Sequence, residues 1–488
     1  MKKKKSPLRI SFVAAEVAPY AKVGGLADVV GSLPKALADL GCLPRVIVPR
    51  YEHIRLADMG AEQVAVFSIP FAGQSYNAKI YRSQLLHARV PLYLIDQPIW
   101  LSSGDIYRQK DSVSDSSFLL KRFLFFCLAA QTLITKLRFA PHIVHVHDWM
   151  TAPLCLLPDP TGRNANGSKR VLTIHNIGNE GFANAELLNL VGLTLRSFSP
   201  LTRSKDDHHF FNTFAQAILE ADCINTVSPT YAKEILTSKF GGGLERVLKK
   251  RARNLRGILN GIDTEYFNPA SDQFIAEPFT QDSLKRKPAN KRDLQKNLGL
   301  RVSDPAFLCG IVTRLSEQKG IELLIHAMKH PVSKDMQFAI LGEGNAEYEE
   351  ILRSLSHDHS GQIAFSARYD SHLARKIYAG ADAFLMPSRY EPCGLAQLIA
   401  LRYGTVPIVH DTGGLHDTVV DFRKRNGQGF LFKGFAPKEF LKVLDAARRE
   451  FLVPQRWQRL QLNGMSADHS WQRSAQEYLQ MYQSIVAK

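Results

Sequence analysis

The sequence predicts an α/β protein of at least two domains, each built on a doubly wound parallel sheet. Three observations predict it. A chain of 488 residues exceeds what one core organises, at roughly 100–200 residues per domain. Short apolar runs end repeatedly in glycine-bearing turns followed by helical spacing, which is the βα rhythm of a parallel sheet. The rhythm breaks in a polar, basic, proline-containing stretch from Asp272 to Leu300 and then restarts, so that stretch reads as an interdomain linker.

The elements follow in order. Leu8–Ala15 is a first strand, and Lys22-Val23-Gly24-Gly25 forms the turn after it. Leu26, Val29, Val30, Leu33 and Leu37 then fall at helical spacing, with Pro34 kinking or restarting the helix. Glycines allow close backbone approach, a helix start favours an anion, and Lys22 adds a full positive charge. Arg45–Pro49 is a second strand, and residues 60–100 read as short strands and turns. Phe118–Leu137 is an apolar helix of the core. His142-Ile-Val-His145-Val-His147 runs as a strand into the polar turn Asp148-Trp149. Three histidines along one strand invite a metal site, but no carboxylate or cysteine cluster accompanies them, and no metal is expected. Lys169–Ile174 is a strand with His175-Asn176 at its carboxyl end, where open α/β sheets bind ligands. Ala221–Val227 leads into Ser228-Pro229, a helix cap followed by proline at the first position. Leu255–Leu259 leads to the turn Asn260-Gly-Ile-Asp263.

Beyond the polar stretch, Ala306–Val312 ends in Thr313-Arg314-Leu-Ser-Glu-Gln-Lys319-Gly320, ahead of a helix from Ile321. Gln337–Leu341 ends in Gly342-Glu343-Gly344, and Ile363–Phe365 precedes Tyr369. Ala383–Met386 is a buried strand followed by a turn with Arg389 and Glu391, and Gly394 opens a helix to about Tyr403. The unit repeats as strand Val406–His410, turn Thr412-Gly413-Gly414 and a helix from Leu415. Singly, such glycines only close tight turns. Two of them side by side, with Glu391 between and Arg314 and Lys319 on the same sheet, form a cradle for a diphosphate: Arg forks onto oxygens and Lys supplies a point charge. Amphipathic helices near Lys438–Ala447 and Trp471–Val486 end the chain.

The formal charge of +16 suits anionic small molecules, nucleic acid or an anionic surface. Its local runs, Lys2–Lys5, Lys249–Arg256 and Lys285–Arg292, read as solvated tails, helix faces or linkers, and no nucleic-acid motif accompanies them. Six cysteines without a CxxC pair suit a reducing compartment. No signal-peptide pattern is read at the start, and no apolar run approaches the ~20 residues of a membrane span. A cytoplasmic protein, bound to neither membrane nor nucleic acid, is expected.

Taken together, Lys22-Val-Gly-Gly-Leu, His147-Asp-Trp, His175-Asn, Val227-Ser-Pro-Thr-Tyr, Asn260-Gly-Ile-Asp, Thr313-Arg-Leu-x-x-Gln-Lys-Gly, Ser388-Arg-Tyr-Glu-Pro-Cys-Gly-Leu and Thr412-Gly-Gly-Leu resemble bacterial glycogen synthases and plant-type starch synthases. The resemblance is co-linear over nearly the whole chain, and the last three motifs are the most specific. It implies a GT-B fold, two Rossmann-like domains facing a central cleft. An acceptor-side domain would span 1–271, a linker 272–300, a donor-side domain 301–465, and a helix crossing back 466–488. It implies glucose transfer from ADP-glucose to the non-reducing end of an α-1,4-glucan with retention, without metal or other cofactor. Arg314 and Lys319 would neutralise the departing diphosphate, helped by the N–H groups of Leu395 and Ala396 after Gly394 and by Thr412-Gly413. Lys22 with Gly24-Gly25 would approach the phosphates, and Asp28 would support that loop or a ribose. Tyr369 would stack on adenine. His175, Asn176, Asn260, Glu391 and Cys393 would surround the glucose, with Glu391 and His175 as catalytic groups beside Arg314 and Lys319. Val23, Met150, Ala396 and Ile177–Gly181 depart from the family pattern. The alternatives are another retaining GT-B transferase, with a different donor or acceptor, and a silent glucan-binding homologue.

Overall fold

A computed structural model describes residues 6–107, 117–136, 140–158, 167–178, 180–333, 335–368 and 370–487. The chain forms two compact units, Met1–Asn260 with Trp471–Lys488, and Gly261–Ser470. Lys2–Lys5 and Tyr369 lie outside the described residues.

The first unit is organised by one sheet. Its strands are β1 (Arg9–Val13), β2 (Leu43–Pro49), β3 (Glu62–Phe71), β4 (Gln74–Gln84), β5 (Pro91–Asp96), β6 (Ile143–His147), β7 (Lys169–Ile174), β10 (Cys223–Thr226) and β11 (Leu255–Gly257), while β8 (Phe182–Ala183) and β9 (Phe211–Asn212) pair separately. The order is β11-β10-β7-β6-β1-β2-β5-β4-β3. Seven strands are parallel and β4 and β3 extend the edge antiparallel. From β1 the chain winds first toward β2 and later returns on the other side as β6, so the loops after β1 and β6 diverge and open a crevice at the carboxyl ends. The helix Gly25–Asp39 runs through Pro34 as one element, because Leu26, Val29, Val30, Leu33 and Leu37 all bury on the same face.

Two expectations change here. Residues 60–100 form long strands, not short ones. The helix Phe118–Lys136 is long and apolar enough to cross a bilayer by length and composition, contrary to the expectation that no run approached that length. It is nevertheless a core helix. Arg122 in its second turn is fully buried, donating to the carbonyls of Trp100 (3.0 Å), Asp105 (2.6 Å), Ile106 (3.0 Å) and Ser103. The helix Trp471–Val486 returns to this unit, where Trp471, Tyr478, Met481 and Tyr482 join its core.

The second unit holds β12 (Phe307–Val312), β13 (Met336–Leu341), β14 (Ile363–Ser366), β15 (Ala383–Met386), β16 (Val406–His410) and β17 (Phe430–Phe432), all parallel, in the order β14-β13-β12-β15-β16-β17. Its switch point lies between β12 and β15.

The stretch 272–300 is not a linker. Ile275, Phe279, Leu284, Leu294 and Leu300 belong to this unit's core, and residues 287–297 form a helix. Of the charge run within it, Lys285, Arg286 and Arg292 are exposed, but Lys287 and Lys291 are not solvated. Lys287 is buried, its Nζ donating to the Ala379 and Tyr403 carbonyls at 2.7 and 3.0 Å and to Thr405 Oγ1 at 2.7 Å. Lys291 Nζ pairs with Asp382 at 2.7 Å and donates to the carbonyls of Asp304 and Ala306. An ammonium with three protons can enter a core when three acceptors meet it.

Candidate active site

In the second unit the switch point brings the loops after β12 and β15 together. Gly320, at φ +67°, allows it: any Cβ there would strike the Pro387 carbonyl. The loops are then stitched by Arg389 N–H donating to the Gln318 carbonyl at 2.8 Å. As a result Lys319 Nζ lies 2.6 Å from Glu391 Oε2, with side chains 17% and 6% exposed. Ser388 Oγ donates to the same carboxylate oxygen at 2.9 Å, and the Gly414 N–H donates to the Glu391 carbonyl at 3.0 Å. A Cβ at Gly414 would collide with the backbone of Cys393, so the two glycine turns touch. Gly394, at φ +74°, is followed by Leu395 as cap and a helix over Ala396–Arg402, two residues later than expected. The next helix, capped by Thr412, spans only Gly413–Thr418. Gln397 Nε2 ties the Cys393 and Gly394 carbonyls, each at 3.0 Å.

Arg314 lies on the loop after β12, exposed, and pairs with no carboxylate among the described residues. Its charge is available to an anion, whereas that of Lys319 is shared with Glu391. Arg389 faces elsewhere, bound to Glu322 at 2.6 Å and stacked 4.3 Å from the Phe435 ring centroid. A separate cavity of ≈ 360 Å³ in this unit, lined by Thr264, Arg402 and Asp468 among others, contains none of the predicted site residues.

In the first unit, Lys22 Nζ pairs with Asp28 Oδ1 at 2.6 Å. Within the turn expected to approach the phosphates through Lys22 and Gly24-Gly25, the amides of Val23 and Gly24 donate to Glu16 Oε2 at 2.7 and 2.9 Å. Glu16 is buried, and Tyr107 OH donates to its other oxygen at 2.6 Å. Glu16 was missed, since a lone acid after a strand carries no sequence signal. Gly25 begins the helix, and a Cβ at Gly24 would meet open space.

At the ends of β6 and β7, His147 Nδ1 and His175 Nε2 are 3.0 Å apart. Asp148, at φ +52°, turns back so that Oδ1 accepts from the His175 N–H at 2.7 Å. Burial pushes the His175 ring down to about 3 and the Asp148 carboxyl up to about 8. Asn176 is exposed beside them, and Asn260 is buried with its Oδ1 unbonded among the described residues. His142 precedes the strand, and three residues before His145 its Nδ1 accepts from the Arg9 amide at 3.0 Å. Among the described residues no group of three or more His, Cys, Asp or Glu is arranged to hold a metal ion.

Residues 9–250 match the starch synthase catalytic domain and residues 291–451 the group 1 glycosyl transferases. The glycogen synthase of Thermotoga petrophila is 38% identical over 495 residues, 99% of each chain. The chain belongs to the glycogen and starch synthase family. Glycogen synthase 2 of Geobacter sulfurreducens is likewise 38% identical, over 97% of this chain and 98% of its own. The catalytic domain of starch synthase IV from Arabidopsis thaliana, solved with ADP and acarbose, superposes with a TM-score of 0.91 at 33% identity, covering 99% of this chain and 100% of that one. Sucrose-phosphate synthase from Thermosynechococcus elongatus, at 20% identity and a TM-score of 0.61, shares the fold alone. The protein is thus a hexosyltransferase of the GT-B class, with the motifs of Lys22, His147, Arg314 and Glu391 set at the switch points of its two sheets.

Proposed function

We propose that this family member transfers glucose from ADP-glucose to the 4-hydroxyl at the non-reducing end of an α-1,4-glucan, with retention. The bond from the anomeric carbon to the diphosphate breaks and a bond to the acceptor oxygen forms. The acceptor's proton passes to the leaving phosphate, and ADP departs. The observation that carries this is the Lys319–Glu391 pair, 2.6 Å apart and nearly buried at the switch point of the second sheet. It supplies a fixed cation for the diphosphate and a fixed anion for positive charge at the sugar ring.

Arg314 adds the second cation, with the Leu395, Ala396 and Gly413 amides beside Thr412, and Tyr369 stacks on adenine. These fixed charges do the work a metal would otherwise do. Cys393, His175, Asn176 and Asn260 hold the glucose, and Lys22 leaves Asp28 to meet phosphate. The ADP and acarbose in the Arabidopsis starch synthase IV structure support this donor and acceptor class. The six free cysteines suit a cytoplasmic enzyme.

Labelled glucose incorporated into glycogen from ADP-glucose, with UDP-glucose in parallel, tests the reading. Lys319→Ala is expected to lower kcat by roughly 10²–10³. Incorporation from UDP-glucose alone would replace the donor, and none from either donor would favour a silent glucan-binding homologue.

A further inference from the structure

His147 is the last residue of β6, and its ring is fixed in place. Phe12 stacks on it at 6.1 Å and 15°, and the His145 ring centroid lies 4.4 Å away. Its amide and carbonyl are both bonded to Thr151 Oγ1. Its Nδ1 meets His175 Nε2 at 3.0 Å, while its Nε2 is buried and bonded to nothing among the described residues.

Burial, with the neighbouring rings, drives the pKa of His147 far below the ordinary value, and burial takes His175 to about 3. Both rings are therefore neutral, and a hydrogen bond between two neutral imidazoles contains one N–H. Two arrangements satisfy the distance. If His175 donates, His147 carries its hydrogen on Nε2, which becomes a buried N–H without an acceptor. If His147 donates from Nδ1, only a bare lone pair is left at Nε2. Orphaned buried N–H groups are the rarer defect in folded proteins.

His145 does not rescue the first arrangement, because its own nitrogens are committed. Thr173 Oγ1 gives its hydrogen to Asn225 Oδ1 at 2.7 Å and so accepts from His145 Nε2 at 2.5 Å. His145 Nδ1 then accepts from Tyr482 OH at 2.8 Å.

We propose that His147 is a positioning residue that fixes the tautomer of His175, holding its Nε2 as an acceptor and leaving its one N–H on Nδ1 for a substrate hydroxyl. His175 then acts as a hydrogen-bond donor to the sugar and not as a base through Nε2. Asp148 completes the arrangement by gripping the His175 amide from the other side. The inference rests on the reading that His175 binds the transferred glucose.

Two measurements test it. Long-range proton–nitrogen NMR of the full chain labelled with ¹⁵N-histidine, with His175 identified by its loss in His175→Gln, is expected to show the proton on Nδ1. A proton on Nε2 overturns the proposal, and this readout needs no variant of His147 to fold. In kinetics, His147→Phe keeps the ring and removes the donor. It is expected to lower kcat about tenfold or more, with KM for ADP-glucose within about twofold, and His147→Asn, whose amide can donate in place of Nδ1, recovers most of the loss. Equal kcat in wild type and both His147 variants overturns the positioning role when His175→Gln is impaired. A fully active His175→Gln instead removes the underlying reading of His175.

Discussion

His145, His147 and His175 are neutral rings in the first unit, and this sets its response to acid. An unfolded imidazole takes up a proton near pH 6.5, whereas folded His145 and His175 do so only at about 3. The unfolded chain binds more protons across that window. The stability these rings contribute is complete above pH 6.5 and is lost as pH falls, at about 1.4 kcal/mol per pH unit for each ring. Asp148 opposes them: its folded carboxyl, raised to about 8, keeps a proton that the unfolded chain releases near pH 4, so its contribution is greatest in acid and fades toward pH 8. The rings outweigh the one carboxyl between pH 4 and 6.5, where the unfolded chain binds more protons and stability falls with acid. His145→Gln is expected to reduce the slope of unfolding free energy against pH by about one proton, read from urea titrations at several pH values. An unchanged slope would mean that His145 is protonated in the folded state. At this scale the sequence discloses residue types and leaves their partners hidden. Lys22, Lys319 and Glu391 are legible as charges beside glycine turns, but the Asp28 and Glu391 partners of the two lysines, and Glu16 under the Val23 amide, depend on side-chain directions that motif spacing does not carry.

Strands were the most legible elements, because burial on both faces of a parallel sheet writes continuous apolar runs such as Phe307–Val312 and Met336–Leu341. The helix Lys287–Asn297 was the least legible. Its mean character is polar and basic, and the groups that receive Lys287, at Tyr378–Ala379 and Tyr403–Thr405, lie about a hundred residues further along. That ammonium ties together the ends of the helices Ser371–Gly380 and Ala396–Arg402, the latter being the helix that opens beside Glu391. Burial pushes its pKa down from the ordinary lysine value, opposed by the nearby Asp382 carboxylate. Lys287→Met removes the donor and strands buried carbonyls. The second unit should lose roughly 3 kcal/mol in denaturant unfolding. A loss below about 0.5 kcal/mol, within the range of ordinary surface substitutions, would show that Lys287 is dispensable.

Over the whole molecule, each sheet carries part of its motifs where strand order reverses: those of Lys22 and His147 between β1 and β6 in one unit, those of Arg314 and Glu391 between β12 and β15 in the other. The rest follow other strands of the same sheets. This common logic explains why the fold class and family were readable from eight short motifs, while the unit boundaries at Asn260/Gly261 and Ser470/Trp471 were not. Composition marks polarity, and the polar stretch that looked like a boundary is held inside the second unit by Ile275, Phe279 and Leu294. The measurement that bears most directly on the enzyme's activity is the position and configuration of the glucose it adds. Glycogen extended with labelled ADP-glucose should release its label on treatment with an exo-acting α-1,4-glucanase that works from the non-reducing end. Label that resists the glucanase, or that remains in ADP-glucose while the folded protein binds glycogen, would contradict retaining transfer to the 4-hydroxyl.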